Sequence, residues 1–293
     1  MRKPASFFIV GLLLCIFIAT VPASAHKTDN LNAESTVRSL TNSVASGEQP
    51  LEKINLVWQH DNLPSVDLST LPKVPGVNVV SPCWYVIGNE FGNLNVKAVE
   101  GYVARAHAKG YQVWPLITNG FDPDRTKKLL QDDNAKHHVI NQLLTEAETH
   151  GFDGINLDFE NIYQEDKDEL TKFVKQIRKA TKKRKLTLSI DVTMPEGSPN
   201  WSLCFDRKKL ADQVDYVILM AYDQYSGGSP MAGPTASYNW DKTGLQATLL
   251  EVPASKLIMG IPLYLSLSVA GERKNALRFL YGKRCSLLLL AGK

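Results

Sequence analysis

The sequence predicts an α/β protein folded as a (β/α)8 barrel of the TIM type, and three observations point there. Short β-branched runs alternate with longer amphipathic runs, the pattern of a parallel sheet covered by helices. No glycine-rich phosphate loop follows the first strand, as a doubly wound, nucleotide-binding sheet would require. Polar residues stand at the strand ends, Asn119, Asp158, Glu160, Asp191 and Asp223 among them, and barrels collect their sites at that C-terminal rim.

Ahead of the first strand, Arg2 and Lys3, the apolar run Phe7 to Ile18 and the small residues Ala23-Ser24-Ala25 have the three parts of a secretory signal. The apolar run is shorter than the ~20 residues a spanning helix needs, so residues 1–25 are expected to be cleaved rather than to anchor the chain. No later segment is apolar enough to enter a membrane. Residues 26–52, rich in Asn, Ser, Thr and Ala, are expected to form a spacer, and residues 53–293 the barrel.

The expected strands are Ile54 to Gln59, Val77 to Ile87, Gln112 to Ile117, Gly154 to Glu160, Leu186 to Val192, Tyr216 to Tyr222 and Leu257 to Leu263. Helices are expected over Val96 to Lys109 and Lys136 to His150, with Gly110 and Gly151 as their stops. Residues 265–293 depart from this alternation. Glu272 to Tyr281 reads as a helix and Ser286 to Leu290 as a short eighth strand; without it the sheet keeps an open edge.

A formal net charge of +3, two units of which leave with Arg2 and Lys3, recruits neither nucleic acid nor a polyanionic surface. Of the four cysteines Cys15 lies in the signal, and Cys83, Cys204 and Cys285 form an odd set without metal-ligand spacing. Cys83 and Cys204 sit among apolar or aromatic neighbours and read as buried thiols, with one disulfide left open. The six histidines form no HExxH pair. The basic cluster from Arg178 to Lys185 falls at a helix end, where cations complement the dipole and face water.

The stretch DGINLDFE, Asp153 to Glu160, carries the chemistry. Side chains alternate along a strand, so Asn156, Asp158 and Glu160 share one face while Ile155, Leu157 and Phe159 share the other. Polar groups on the inner face of a barrel are costly unless they are paired or do chemistry. Asp158 and Glu160 stand ~6.6 Å apart along the backbone, close enough for their carboxyls to interact. Two such groups do not both ionise easily, so the outer one, Glu160, can stay protonated as a general acid. Cleavage of a glycosidic bond needs that proton on its leaving oxygen. A divalent metal at the barrel mouth is the alternative, although metal sites draw acids from successive strands and these crowd onto one.

GFDGINLDFEN resembles the DGxxxDxE signature of glycoside hydrolase family 18, the chitinase-like barrels. MAYDQY, Met220 to Tyr225, and LIMGIPLY, Leu257 to Tyr264, are similar to that family's sixth and seventh strands. The resemblance runs from about Ile54 to Tyr264. It implies Glu160 as the acid, Asp158 as the group that orients the substrate's acetamido arm, and Tyr222 as a donor to the acetamido carbonyl. Asp223 would support the same subsite and Asp153 would hold the strand. The substrate's own carbonyl oxygen would then be the nucleophile, with no cofactor and no metal, and the anomeric configuration would be retained.

Where many chitinases carry a third acid this chain has Asn156, whose amide could donate to Asp158 and favour its anion. With DFEN, that substitution resembles the branch containing bacterial spore-cortex and cell-wall N-acetylglucosaminidases. The implied partner is an N-acetylated polysaccharide or oligosaccharide, peptidoglycan ahead of crystalline chitin, met by a secreted or wall-associated monomer. Asn156 and Asp223, with Trp84 and Trp240 as flat platforms for a sugar face, complete the expected substrate-binding set. Trp114 and Trp201 are weaker platform candidates. The family's closing strand ordinarily brings a tryptophan to the floor of the cleavage subsite, and none follows Trp240. A catalytically silent, sugar-binding barrel is therefore the alternative function.

Overall fold

The computed structural model describes residues 53–60, 67–226, 229 and 231–264. The expected signal, the whole of the expected spacer, and the helix and eighth strand sought in residues 265–293 lie outside the described residues. In chain order the first half runs β1 (Leu56–Gln59), β2 (Val79–Ile87), β3 (Leu94–Val96), α1 (Tyr102–Ala108), β4 (Gln112–Val113), β5 (Leu116–Thr118), α2 (Pro123–Gln131) and α3 (Asp133–His150). The second half runs β6 (Gly154–Asp158), α4 (Lys167–Lys183), β7 (Thr187–Thr193), α5 (Arg207–Ala211), β8 (Tyr216–Met220), α6 (Tyr238–Thr248) and β9 (Leu257–Gly260).

Among the described residues the strands form one curled sheet, parallel along the path β1-β2-β5-β6-β7-β8-β9. This is the barrel topology expected of the alternation, seen as a curled sheet up to β9. The single strand expected over Gln112 to Ile117 is split into β4 and β5 around Pro115, which has no N–H to give to a ladder. The helix expected from Val96 begins only at Tyr102, because Leu94–Val96 pairs antiparallel with Tyr85–Ile87. Helix α3 ends at the expected Gly151 but begins at Asp133, three residues ahead of the expected Lys136. Asp132 Oδ1 accepts from Asn134 N at 2.8 Å at one end, and Gly151, at φ 71°, closes the other.

The main apolar core lies between the sheet and its helices. Ile155, Leu157 and Phe159 of the DGINLDFE stretch face it, and the Phe159 ring stands 6.1 Å from that of Phe173 on α4. Burial of each such side chain contributes ~1.5–3 kcal/mol. The opposite face of β6 points into the bowl of the sheet, where the lower end is plugged by Trp114 stacked on Tyr216 at 5.7 Å. That plug dictates the glycine of the DG pair, since a Cβ on Gly154 would stand 2.7 Å from Trp114 Cδ1 and 2.8 Å from Thr187 O.

The same lower rim shows why an aspartate precedes β6. Asp153 donates its backbone N–H to Val113 O at 2.9 Å and accepts the Val113 N–H on Oδ2 at 2.8 Å. His107 Nε2 of α1 lies 2.8 Å from the same oxygen. Asp215, before β8, repeats the device on Leu188, with Arg178 of α4 bidentate to its carboxylate at 2.6 and 2.7 Å. Arg178 and Arg184, the latter paired with Glu148, are thus engaged rather than simply solvated. Asp153→Ala is expected to destabilise the fold by ~1–3 kcal/mol in denaturant titrations, through the orphaned Val113 N–H.

The sheet curls far enough for its first and last described strands to meet across the bowl. Trp58 of β1 reaches over to Gly260 of β9, where a Cβ would lie 3.0 Å from the ring's Cη2. Its edge also meets the Tyr222 ring at 6.1 Å.

Candidate active site

Four polar side chains, Ser81, Asn156, Ser189 and Asp191, are buried on the inner face of β2, β6 and β7. Asn156 is their hub. Its Oδ1 accepts from Trp58 Nε1 at 2.9 Å and Ser81 Oγ at 3.3 Å, and its Nδ2 donates to Asp191 Oδ1 at 2.8 Å. Two expectations are corrected here. Fully buried, Asn156 has no surface to offer a substrate, and its donor goes to Asp191 on the neighbouring strand instead of to Asp158.

Above Asn156 the inner face carries Asp158 and then Glu160, as the alternation predicts. Glu160 donates a hydrogen bond to Asp158, and its carboxyl is pushed up to about 8. Burial is the largest cause, followed by the negative charges of Asp158 and Asp223 and the hydrogen bond itself. Burial also raises Asp158, although its bond with Glu160 opposes the rise. Near neutral pH Glu160 therefore holds a proton that it can deliver.

Glu160 lies just beyond the last residue of β6, where no ladder fixes it, and Asn119 substitutes for a neighbouring strand. The Asn119 amide accepts Glu160 N–H at 3.1 Å and donates to Glu160 O at 2.8 Å. Across the bowl, Tyr222 follows β8 between the rings of Trp58 and Tyr264, each with its centroid 6.1 Å away. Burial, and then the charges of Asp191, Asp158 and Glu160, hold its phenol protonated. Asp223, exposed at φ 61°, accepts a hydrogen bond from Tyr264 Oη at 2.7 Å.

Backbone strain marks the same rim. Of the four non-glycine residues with positive φ among those described, Phe121, Asn161 and Asp223 follow β5, β6 and β8. Such conformations persist where surrounding structure enforces them, commonly at functional sites. Asn161 Nδ2 donates to Phe121 O at 2.9 Å, and the Phe121 ring stands 6.4 Å from that of Trp201. Phe121 and Trp201 are 45% and 42% exposed, an aromatic surface beside Glu160.

The two preferred tryptophan platforms are elsewhere. Trp84 is 3% exposed and packs on the helix side of the sheet against Tyr102 and His150, so it has no free face for a sugar. Trp240 lies on α6 instead of in a loop and is partly buried against the core. Trp114 belongs to the plug, which leaves Trp201 as the exposed member of the four. Cys83 is half-buried and Cys204 buried. Among the described residues no group of three His, Cys, Asp or Glu side chains has metal-holding geometry, and no helix is long and apolar enough to cross a membrane.

The structure thus brings Asp158, Glu160, Tyr222 and Asp223 together. It adds Trp58 and Tyr264, and it gives specific roles to Asn119 and Asp191, which the sequence marks only as polar residues at strand ends. Asp191 has a further visible signal. Ser189, Asp191 and Thr193 alternate along β7 with apolar partners, the same polar inner face that singles out β6.

The sequence model described as Glycosyl hydrolases family 18 matches residues 89–281. An uncharacterized glycosylase, YvbX, of Bacillus subtilis is 32% identical over 54% of this chain and 48% of its own length. The cortical fragment-lytic enzyme of Bacillus subtilis is 29% identical over 51% of this chain and 36% of its own. The chain thus spans about half or less of these relatives. In fold it is similar to the Bacillus megaterium spore cortex-lytic enzyme SleL, with TM-score 0.66 and 18% identity over 80% of this chain and 57% of that one. It is also similar in fold to a chitinase from Chromobacterium violaceum, with TM-score 0.63 and 22% identity over 72% and 68%.

Proposed function

The chain belongs to glycosyl hydrolases family 18, and from that premise we propose that it hydrolyses β-linked N-acetylglucosamine-containing polysaccharide, with Glu160 as the acid. The observation that carries this is the hydrogen-bonded Asp158–Glu160 pair, set in a bowl lined by Trp58, Tyr222 and Tyr264, with Glu160 kept protonated near neutral pH. A barrel that only bound sugar would gain nothing from a buried, proton-bearing carboxyl.

The mechanism proposed is the substrate-assisted one that family membership implies. Double displacement by the protein needs a second carboxylate across the scissile bond, ~5–5.5 Å from the acid. Membership of the family implies instead that the nucleophile is the substrate's own acetamido oxygen. Asp158 takes the acetamido N–H and Tyr222 Oη donates to the acetamido carbonyl. As that oxygen bonds to the anomeric carbon, the Glu160 proton passes to the leaving oxygen and the glycosidic bond breaks. Glu160, now an anion, removes a proton from the water that opens the oxazolinium, and configuration is retained.

Peptidoglycan, or oligosaccharides from it, is the favoured substrate over crystalline chitin, supported by the likeness to the Bacillus cortical fragment-lytic sequence. Such a polymer is met outside the membrane, in keeping with the export signal expected at residues 1–25. Phe121 and Trp201 offer the aromatic face on which a neighbouring sugar would lie.

Oligomers of N-acetylglucosamine and peptidoglycan fragments are expected to release reducing ends when incubated with the protein, while fully de-N-acetylated oligomers stay intact. The newly formed end should appear first as the β-anomer by NMR. Equal cleavage of the de-N-acetylated oligomers would remove the acetamido group from the mechanism.

A further inference from the structure

One buried acid of the bowl has no part in the steps above. Asp191 is 1% exposed, on the strand next to β6. The β6–β7 register places Leu157 beside Ile190, so the next residues up, Asp158 and Asp191, stand level on the inner face of adjacent strands. Strands so paired lie ~4.8 Å apart. One Asp191 oxygen is taken by Asn156 Nδ2 at 2.8 Å. Asp158 Oδ1 is buried with no hydrogen-bond partner among the described residues. An orphaned buried oxygen beside a second carboxyl is satisfied most directly by a proton between the two.

Resting on the hydrolase function proposed above, we propose that Asp191 is the third acid of this site and a positioning residue for Asp158, the two carboxyls sharing one proton across the β6–β7 boundary. In effect the acid absent at Asn156 has moved to the neighbouring strand, and the Asn156 amide holds it in place. With Asp191 as its partner, Asp158 has two settings, one turned to Asp191 and one turned to Glu160 and the acetamido N–H. In the second setting the proton stays on Asp191 and Asp158 is the anion. No proton leaves the cluster, and no bond to the sugar is made or broken in the switch.

Other groups around the bowl press in the same direction. Asp158 and Glu160 of the β6 stretch both disfavour an Asp191 anion, while Asn156 and Trp58 of β1 donate towards it. Burial outweighs those donors and raises Asp191 well above the ordinary carboxylate range. Tyr222, held neutral, faces it from the end of β8, with Asp223 and Tyr264 beyond.

Asp191→Asn separates this role from a structural one, because an amide oxygen still accepts from Asn156 but the group holds no acidic proton. In the wild type kcat is expected to exceed that of D191N by about ten- to a hundred-fold, the range for one lost hydrogen bond to a charged group, with KM little changed. The exchange N156D/D191N, which returns an acid to β6, should recover part of kcat.

Melting temperatures give a second readout that needs no turnover. An acid raised by folding contributes most below its unfolded value of ~3.9, and that contribution is lost as pH climbs towards the folded value. The melting temperature of the wild type minus that of D191N should therefore fall by several degrees from pH 4 to pH 8. A D191N protein that matches the wild type in kcat, with a flat melting difference, would overturn the proposal. Should the wild type release no sugar at all, the hydrolase function fails, and the melting comparison alone decides the state of Asp191.

Discussion

Glu160→Gln is expected to lower kcat on N-acetylglucosamine oligomers by ~10²–10⁴, the contribution of a positioned general acid. The amide has the size and hydrogen bonds of the acid but no proton to give. The clamp from Asn119 to the Glu160 backbone is untouched, so folding and KM should change little. An aryl glycoside, whose phenolate departs without protonation, should show a much smaller loss. A variant that cleaves both substrates at wild-type rates would remove Glu160 from the acid role. Steady-state kinetics on the two substrates, with a melting curve as control, make the measurement.

Asp158→Asn is expected to combine a rate loss with a pH shift. Loss of the group that orients the acetamido arm should cost ~10²–10³ in kcat, the scale of one misplaced electrostatic contact in an acyl-type transition state. The sign of the pH effect follows from Glu160. Activity requires Glu160 protonated, so the wild-type rate should fall as pH rises through about 8. Asp158 raises Glu160 both through its charge and through their hydrogen bond. A neutral amide removes the charge, so the alkaline limb of D158N should lie at lower pH than in the wild type. A limb that stays in place would mean that another group sets it.

Much of this site is legible in the order of the amino acids alone. The β6 pattern is unambiguous because polar and apolar residues alternate strictly from Ile155 to Glu160, and the observed faces follow that alternation. Trp84 resists placement from sequence because β2, VVSPCWYVI, is buried on both faces and has no alternation to anchor it. Ser81, bonded to Asn156, faces the bowl, and the parity running from it sends Trp84 outward. A register shift between Cys83 and Tyr85 then carries Tyr85 outward as well, to Glu146 on α3. The true start of α1 is hidden because nothing local announces β3, whose pairing with β2 is a tertiary contact. The roles of Asn119 and Trp58 are hidden for the same reason. Their importance lies in partners 41 and 98 residues away, and no window of sequence contains both ends of such a bond.

Trp58 also ties the time at which the site exists to the order in which the chain is made. Its indole is bonded to Asn156, lies against Tyr222 and rests over Gly260, so one side chain from the first strand waits for three later ones. Closures over such separations come late in folding. A nascent chain that has emerged only as far as β6 already carries both acids, yet it lacks the aromatic floor beneath them. The bowl around the acids is complete only once β8 and β9 have been made.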